Sequence, residues 1–404
     1  MDAVVSLPTV VAPGVATSLN STEPLPQLPW PLPAVMNIEF LDSLLRFCFD
    51  NKCSDVFLTT GDPVAVMWQK SIRFLETREL EYEELAALLD KMYSDPTASM
   101  AVNRGEPLDR AYSIEVDRRK YLRFRVNATA HMASGGPGIE ITFRGIGDKV
   151  ESLDALGVEP YIADNCNPSD GLVIVTGVTG TGKSVLLDAM MMKLLLSPQA
   201  KRLLTFCAPI EKDLRLIKGR TGQVVQHDIG LPGQGGHVRT WLEAVKNFLR
   251  RHPHAVLFGE ARDKATIEGV ILSCLSGHVT FTTSHASSTH MTIPRMADEF
   301  GADRVRISKA LCEQIRLVVT QKLLPKQDGL GLVGIRSALN VTRSMRDELL
   351  RSSVDQIPIL MKEFTEQDGI TLIASAEKQW KLGNISQAQL DAVAEEVKTD
   401  DPTH

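Results

Sequence analysis

Residues 171–190, GLVIVTGVTGTGKSVLLDAM, constrain this chain more than any other stretch. Gly171 to Thr176 is a short β-branched run of the kind that forms a buried parallel strand. Gly177-Val-Thr179-Gly180-Thr181-Gly182-Lys183-Ser184 then fits GxxxxGK[ST] at every defined position, and Val185–Leu196 follows as an apolar helix. Glycines in such a loop let backbone N–H groups curl around a polyphosphate, and the helix N-terminus adds a positive dipole end. Lys183 is expected to reach the β/γ-phosphates and the Ser184 hydroxyl to ligate Mg²⁺. A plain glycine-rich turn between strand and helix would leave the Gly-Lys-Ser triplet unexplained. The required order of strand, loop and helix is present, and it points to a nucleotide site.

A chain of 404 residues has room for two folded domains. The net charge of −6 argues against a nucleic-acid surface, so no direct nucleic-acid binding is expected. Six cysteines are scattered without a CxxC pair, so neither a zinc ribbon nor a disulfide frame is indicated, which fits a reduced compartment. No run of 18 or more apolar residues is present, so no transmembrane segment is expected.

Residues 1–35 hold seven of the 21 prolines and precede the first basic residue, Arg46, so the charged start of a secretory signal is missing. They read as a disordered, proline-rich tail, with a docking segment as the alternative. The fold is expected to begin near Met36. Residues 36–148 mix helical periodicity (37–51, 82–93) with short strands, the last of them Tyr121–Ala130 and Gly138–Arg144, as in a small α+β domain. Strand residues Arg123, Arg125 and Arg144 read most simply as a solvated face or intrachain ion pairs. A linker over 149–168 leads to the key strand. Strands and helices then alternate through 169–345, with a helix expected over Arg304–Val318, which implies a parallel sheet with helices on both faces. Residues 346–404 look helical and close on an acidic tail.

Ala255–Gly259 is an apolar strand that ends in Glu260, placed to hold Mg²⁺ through water or to activate the attacking water. Alone, such an acid is usually a surface residue; beside a phosphate loop it becomes a candidate. Glu211, in Pro209-Ile-Glu211 after the strand Arg202–Cys207, supplies a second carboxylate at the same sheet edge. His278 and His285 flank another strand, and His285, at its C-terminal end, is placed to sense the γ-phosphate.

GVTGTGKS, PIE, FGEARD and GHVTFTTSH stand in this order, with RFRVN at 123–127 and Phe143-Arg144 upstream. In these boxes the chain resembles the type II/IV secretion ATPase superfamily of pilus-retraction and VirB11-like motors, and within it the DotB/TraJ branch of type IVB secretion and conjugation. The resemblance spans roughly residues 37–345. It implies a PAS-like N-terminal domain, a RecA-like P-loop domain and a small C-terminal helical region. It also implies a homo-hexamer that hydrolyses ATP with Mg²⁺ between the two domains, cytoplasmic and peripherally bound to inner-membrane secretion or conjugation machinery. On that resemblance Lys183 and Ser184 contact phosphate and Mg²⁺, Glu260 is the Walker B glutamate and His285 the histidine-box residue. Arg125 and Arg144 are then the N-domain arginines that touch phosphate. The chain departs from the pattern at Cys207-Ala208, where the motors carry two acids, and at Phe57 and His252-Pro-His254. Three rival readings are a RecA-like nucleic-acid motor, disfavoured by 5% aromatics and the negative charge, a pilus-retraction ATPase, and a nucleotide-binding assembly factor with little turnover.

Overall fold

The computed structural model describes residues 27–68, 71–75, 77–117, 120–147, 149–230 and 237–399. The N-terminal unit comprises α1 (Ile38–Asp50), β1 (Asp55–Thr59), β2 (Ala65–Trp68), β3 (Ser71–Phe74), α2 (Tyr82–Tyr93), α3 (Ala98–Asn103), β4 (Leu108–Asp117), β5 (Lys120–Ala133) and β6 (Gly136–Ile146). Its strands form one antiparallel sheet in the order β3-β2-β1-β6-β5-β4. Period-2 alternation decides which face is buried. Leu122, Phe124 and Val126 of β5 and Ile139, Ile141 and Phe143 of β6 enter a core shared with Leu41, Leu44, Leu85 and Leu88 of the helices. Arg123, Arg125 and Arg144 fall on the alternate positions, away from that core.

The packed chain begins earlier than the sequence suggests. Leu28 and Leu32 pack against this core, Trp30 meets Phe47 edge-on at 6.0 Å, and Arg78 donates to the carbonyls of Pro33 and Ala34. The expected tail is thus corrected over 27–35, where apolar residues between the prolines supply buriable surface. Residues 1–26 lie outside the described residues.

After α4 (Pro160–Asn165) come β7 (Gly171–Thr176), α5 (Lys183–Leu195), β8 (Arg202–Cys207), β9 (Gln223–Asp228), α6 (Trp241–Phe248), β10 (Ala255–Phe258), α7 (Lys264–Leu275) and β11 (Val279–Ser284). The chain continues through α8 (Thr292–Asp298), α9 (Arg304–Gln314), β12 (Ile315–Pro325), β13 (Leu332–Asn340), α10 (Arg343–Arg351), α11 (Ile357–Asp368), α12 (Leu372–Lys381) and α13 (Gln387–Thr399). The second sheet runs β13-β12-β7-β11-β10-β8-β9; all its pairs are parallel except β12–β13. The parallel sheet expected from the alternation therefore carries one antiparallel edge strand.

β7 is buried at every residue. Leu172 and Ile174 join one core with α6, α7, α8, α9, α10 and α11, whereas Val173 and Val175 join the other with α4 and α5. Each such side chain contributes about 1.5–3 kcal/mol on burial, which anchors the strand that carries the phosphate loop. The helix expected over Arg304–Val318 ends at Gln314, because Ile315, Val318 and Val319 are β-branched and pair with β7. The linker region is not plain coil either: α4 buries Ile162 in the second core.

Candidate functional site

The loop between β7 and α5 turns through positive φ at Gly177 (142°), Gly180 (82°) and Gly182 (76°). Gly177 is required twice over, since a Cβ there would also lie 2.5 Å from the Gln321 carbonyl oxygen of the neighbouring strand. Thr181 Oγ1 donates to the Val178 carbonyl at 2.9 Å and braces the turn. Thr179 and Ser184 are exposed at the mouth. Lys183 Nζ donates back to the carbonyls of Gly177 (2.8 Å) and Val178 (3.0 Å), and the residue is buried. Burial pushes its ammonium pKa down, opposed by the charge of Glu260. A buried cation resting on neutral carbonyls is a site that an anion completes.

The ends of β10 and β11 lie side by side because these strands are parallel neighbours. Thr283 Oγ1 donates to the Gly259 carbonyl at 2.7 Å and Ala261 N donates to the Thr283 carbonyl at 2.9 Å. That stitching brings His285 Nε2 within 2.7 Å of Glu260 Oε1. The loop after β11 is tied to β7 in turn: Ala286 N donates to Thr176 Oγ1 at 2.8 Å, and that hydroxyl donates to the Ala286 carbonyl. Asp263 caps α7 by accepting from Thr266 N at 2.8 Å, which fixes the direction of the chain after Glu260. His278 sits at the opposite end of β11, bonded to Ser276 and packed edge-on against Phe248.

β8 ends differently. The chain leaves it through a cis Ala208–Pro209 bond, and Ile210 N donates to Asp228 Oδ1 at 2.6 Å. Burial, with the carboxylates of Asp188, Asp228 and Glu211, pushes the Cys207 thiol well above its ordinary pKa, so it is no base at neutral pH. Asp188 was missed in the sequence. It is pushed up to about 7 by burial and then by the charge of Glu211, with Lys212 opposing. The signal was an acid inside the apolar run of α5, four residues after Ser184 and so on the same helix face.

Arg125 and Arg144 are directly opposed across β5 and β6. Both make intrachain ion pairs, Arg125 Nη2 with Asp109 Oδ2 at 2.8 Å and Arg144 Nε with Asp55 Oδ1 at 2.7 Å. Arg125 also lies in the field of Glu211 and Glu260, which, after its bond to Asp109, add to its raised pKa. The arginine face of the small sheet thus looks toward the acidic edge of the large one. Lys212 links the two units by donating to the carbonyls of Gly147 and Lys149.

The phosphate loop, the acid that ends β10 and the histidine that follows β11 converge on one sheet edge. Residues 34–345 match the family described as "Type II/IV secretion system protein". The chain belongs to that family. It is 29% identical to the type IV pilus retraction ATPase PilT of Pseudomonas aeruginosa over 318 residues, covering 78% of this chain and 87% of that protein. The X-ray structure of the Legionella pneumophila ATPase DotB matches with a TM-score of 0.81 at 29% identity, over 90% of this chain and 97% of that one. The pilus retraction motor PilT with bound ADP shares the fold, with a TM-score of 0.71 at 24% identity over 88% and 96% of the two chains. As a member of the type II/IV secretion family, the chain is an ATPase. Among the described residues, no helix is long and apolar enough to cross a membrane.

Proposed function

We propose that this ATPase is a homo-hexameric motor of type IVB secretion or conjugative transfer, docked on inner-membrane machinery from the cytoplasm. The observation that carries the reading is the Glu260–His285 pair, 2.7 Å apart at the edge that holds the phosphate loop. The likeness to DotB supports the branch. In this reading residues 36–148 form a PAS-like domain, 149–168 the linker, 169–345 a RecA-like domain and 346–404 the C-terminal helical region.

Lys183 leaves its loop carbonyls to meet the phosphates, and the loop amides from Gly177 to Ser184 wrap them. Mg²⁺, when bound, would neutralise charge that develops on the phosphates. The Ser184 hydroxyl and the Glu260 carboxylate, the latter through water, suit such a hard, oxygen-seeking ion, which needs few protein ligands. His285 holds one oxygen of Glu260 and leaves the other to take a proton from the attacking water. Glu211 supports the loop or the ion through water. Arg125 and Arg144 lend positive charge to the transferred group in the assembled ring, giving up their pairs with Asp109 and Asp55.

The test is turnover, sedimentation and nucleotide binding of wild type and Lys183→Ala. Wild type is expected to hydrolyse ATP as a hexamer, and Lys183→Ala to lose turnover and transport at an unchanged melting temperature. Wild-type turnover in that variant sinks the site. A strictly monomeric protein, fully active at every concentration, sinks the shared site. Strong stimulation by single-stranded DNA favours the nucleic-acid motor instead.

A further inference from the structure

Gln321 of β12 packs beneath the phosphate loop. Its Nε2 donates to the Thr181 carbonyl at 2.7 Å, and its Oε1 accepts from Arg336 Nε at 2.8 Å. The amide orientation is fixed, because a guanidinium offers only donors and must face the oxygen. Arg336 Nη1 reaches Glu159 Oε2 at 3.2 Å and the Gly157 carbonyl at 3.3 Å; Nη2 reaches the Leu156 carbonyl at 3.2 Å. Glu159 Oε1 accepts from Ser375 Oγ of α12 at 2.7 Å, and that same hydroxyl accepts from Arg336 N at 3.0 Å.

The side chains of Arg336 and Glu159 are only 3% and 6% exposed. Desolvating such a pair costs about as much as the pair returns, so stability alone gives no account of it. What the chain of bonds does supply is direction. In a trans peptide the C=O of Thr181 and the N–H of Gly182 point opposite ways. Drawing the Thr181 carbonyl down onto Gln321 therefore turns the Gly182 N–H away from β12, toward the mouth of the loop.

We infer that Glu159, Arg336 and Gln321 form a positioning relay that aims a loop amide at the nucleotide phosphate and ties that aim to the C-terminal helices through Ser375. The inference rests on the proposed nucleotide site. No member of the relay touches the nucleotide; each acts through the loop backbone.

Gln321→Glu separates the relay from the fold. The carboxylate still satisfies Arg336 but cannot donate to the Thr181 carbonyl, so the loop loses its anchor while the buried cation keeps a partner. The KM for ATP and the Kd for ADP should each rise about tenfold, the scale of one well-placed hydrogen bond, with melting temperature and hexamer unchanged. Ser375→Ala, remote from the nucleotide, should raise KM about two- to fivefold, and adding it to Gln321→Glu should raise KM no further, because the loop contact is already gone. A purely structural network would move the melting temperature and leave KM alone. Wild-type KM in Gln321→Glu overturns the relay, as does a wild-type KM in Ser375→Ala should Gln321→Glu fail to fold. Lys183→Ala serves as control: wild type that binds no nucleotide sinks the nucleotide site, whereas wild-type binding matched by both relay variants sinks only the relay.

Discussion

Two strands of the large sheet, β8 and β10, run parallel side by side and end at the same edge, yet their ends are built for different work. β10 hands its chain to Glu260, which is part-exposed, paired with His285 and fixed by bonds from β11. β8 ends in Cys207-Ala208 and a cis proline bond, and the acids around that end, Glu211, Asp228 and Asp188, act on one another and on the Cys207 thiol. An acid held in the open by a histidine can take a proton during the reaction. A carboxylate crowded against another in a poorly solvated corner mainly raises its neighbour's pKa. The base is therefore expected at the end of β10, with β8 in a supporting part.

The sharpest way to break that contrast is Glu260→Gln, which keeps the shape and removes the base. Single-turnover hydrolysis should fall about 10²–10⁴-fold, with ATP binding retained and the protein trapped in its ATP-bound state. Normal hydrolysis in this variant would put the base on the wrong strand. Glu211→Gln should cost about tenfold or less, because the residue acts on the ion or the loop and not on the proton. A dead Glu211→Gln enzyme beside an active Glu260→Gln enzyme reverses the assignment.

Much of this is legible in the sequence. The run 171–190 reads as strand, loop and helix because its burial, its glycines and its helix start are all local properties. Glu260 and His285 were legible for a similar reason: each follows an apolar strand directly, and parallel neighbours bring their C-terminal ends together. What escaped depends on contacts distant in sequence. Arg304–Val318 reads as one helix until Ile315 finds β7. β9 and β13 also escaped: both are edge strands, each added to the strand that precedes it in the chain. Gln321 and Arg336 are polar residues within strands and look like surface positions until Glu159 and Ser375, far away in sequence, bury them. Asp188 escaped because the apolar periodicity of its helix carried the reading.

Asp188 gives the smallest effect and the finest test of the comparison. Its folded-state pKa is raised to about 7 from an ordinary carboxyl value of 3.8, first by burial and second by Glu211. A raised carboxyl pKa means that the folded protein keeps a proton the unfolded chain has already released. Stability is therefore full below pH ~4 and is lost progressively as pH rises toward 7, because the folded state binds more protons across that window. Asp188→Asn keeps the neutral form at every pH. It should match wild type at pH 4 and exceed it progressively above that, by about 1–3 kcal/mol at pH 8, a few degrees in melting temperature, once solvent reaching the group is allowed for. Glu211→Gln removes the second cause and should move the wild-type stability inflection to lower pH, whereas Glu260→Gln should leave it in place. Melting curves of the four proteins between pH 4 and 8 decide the matter. If Asp188→Asn is instead less stable than wild type at pH 8, the carboxylate is charged and paired there, with Lys212 as its partner, and the end of β8 is a functional ionic site after all.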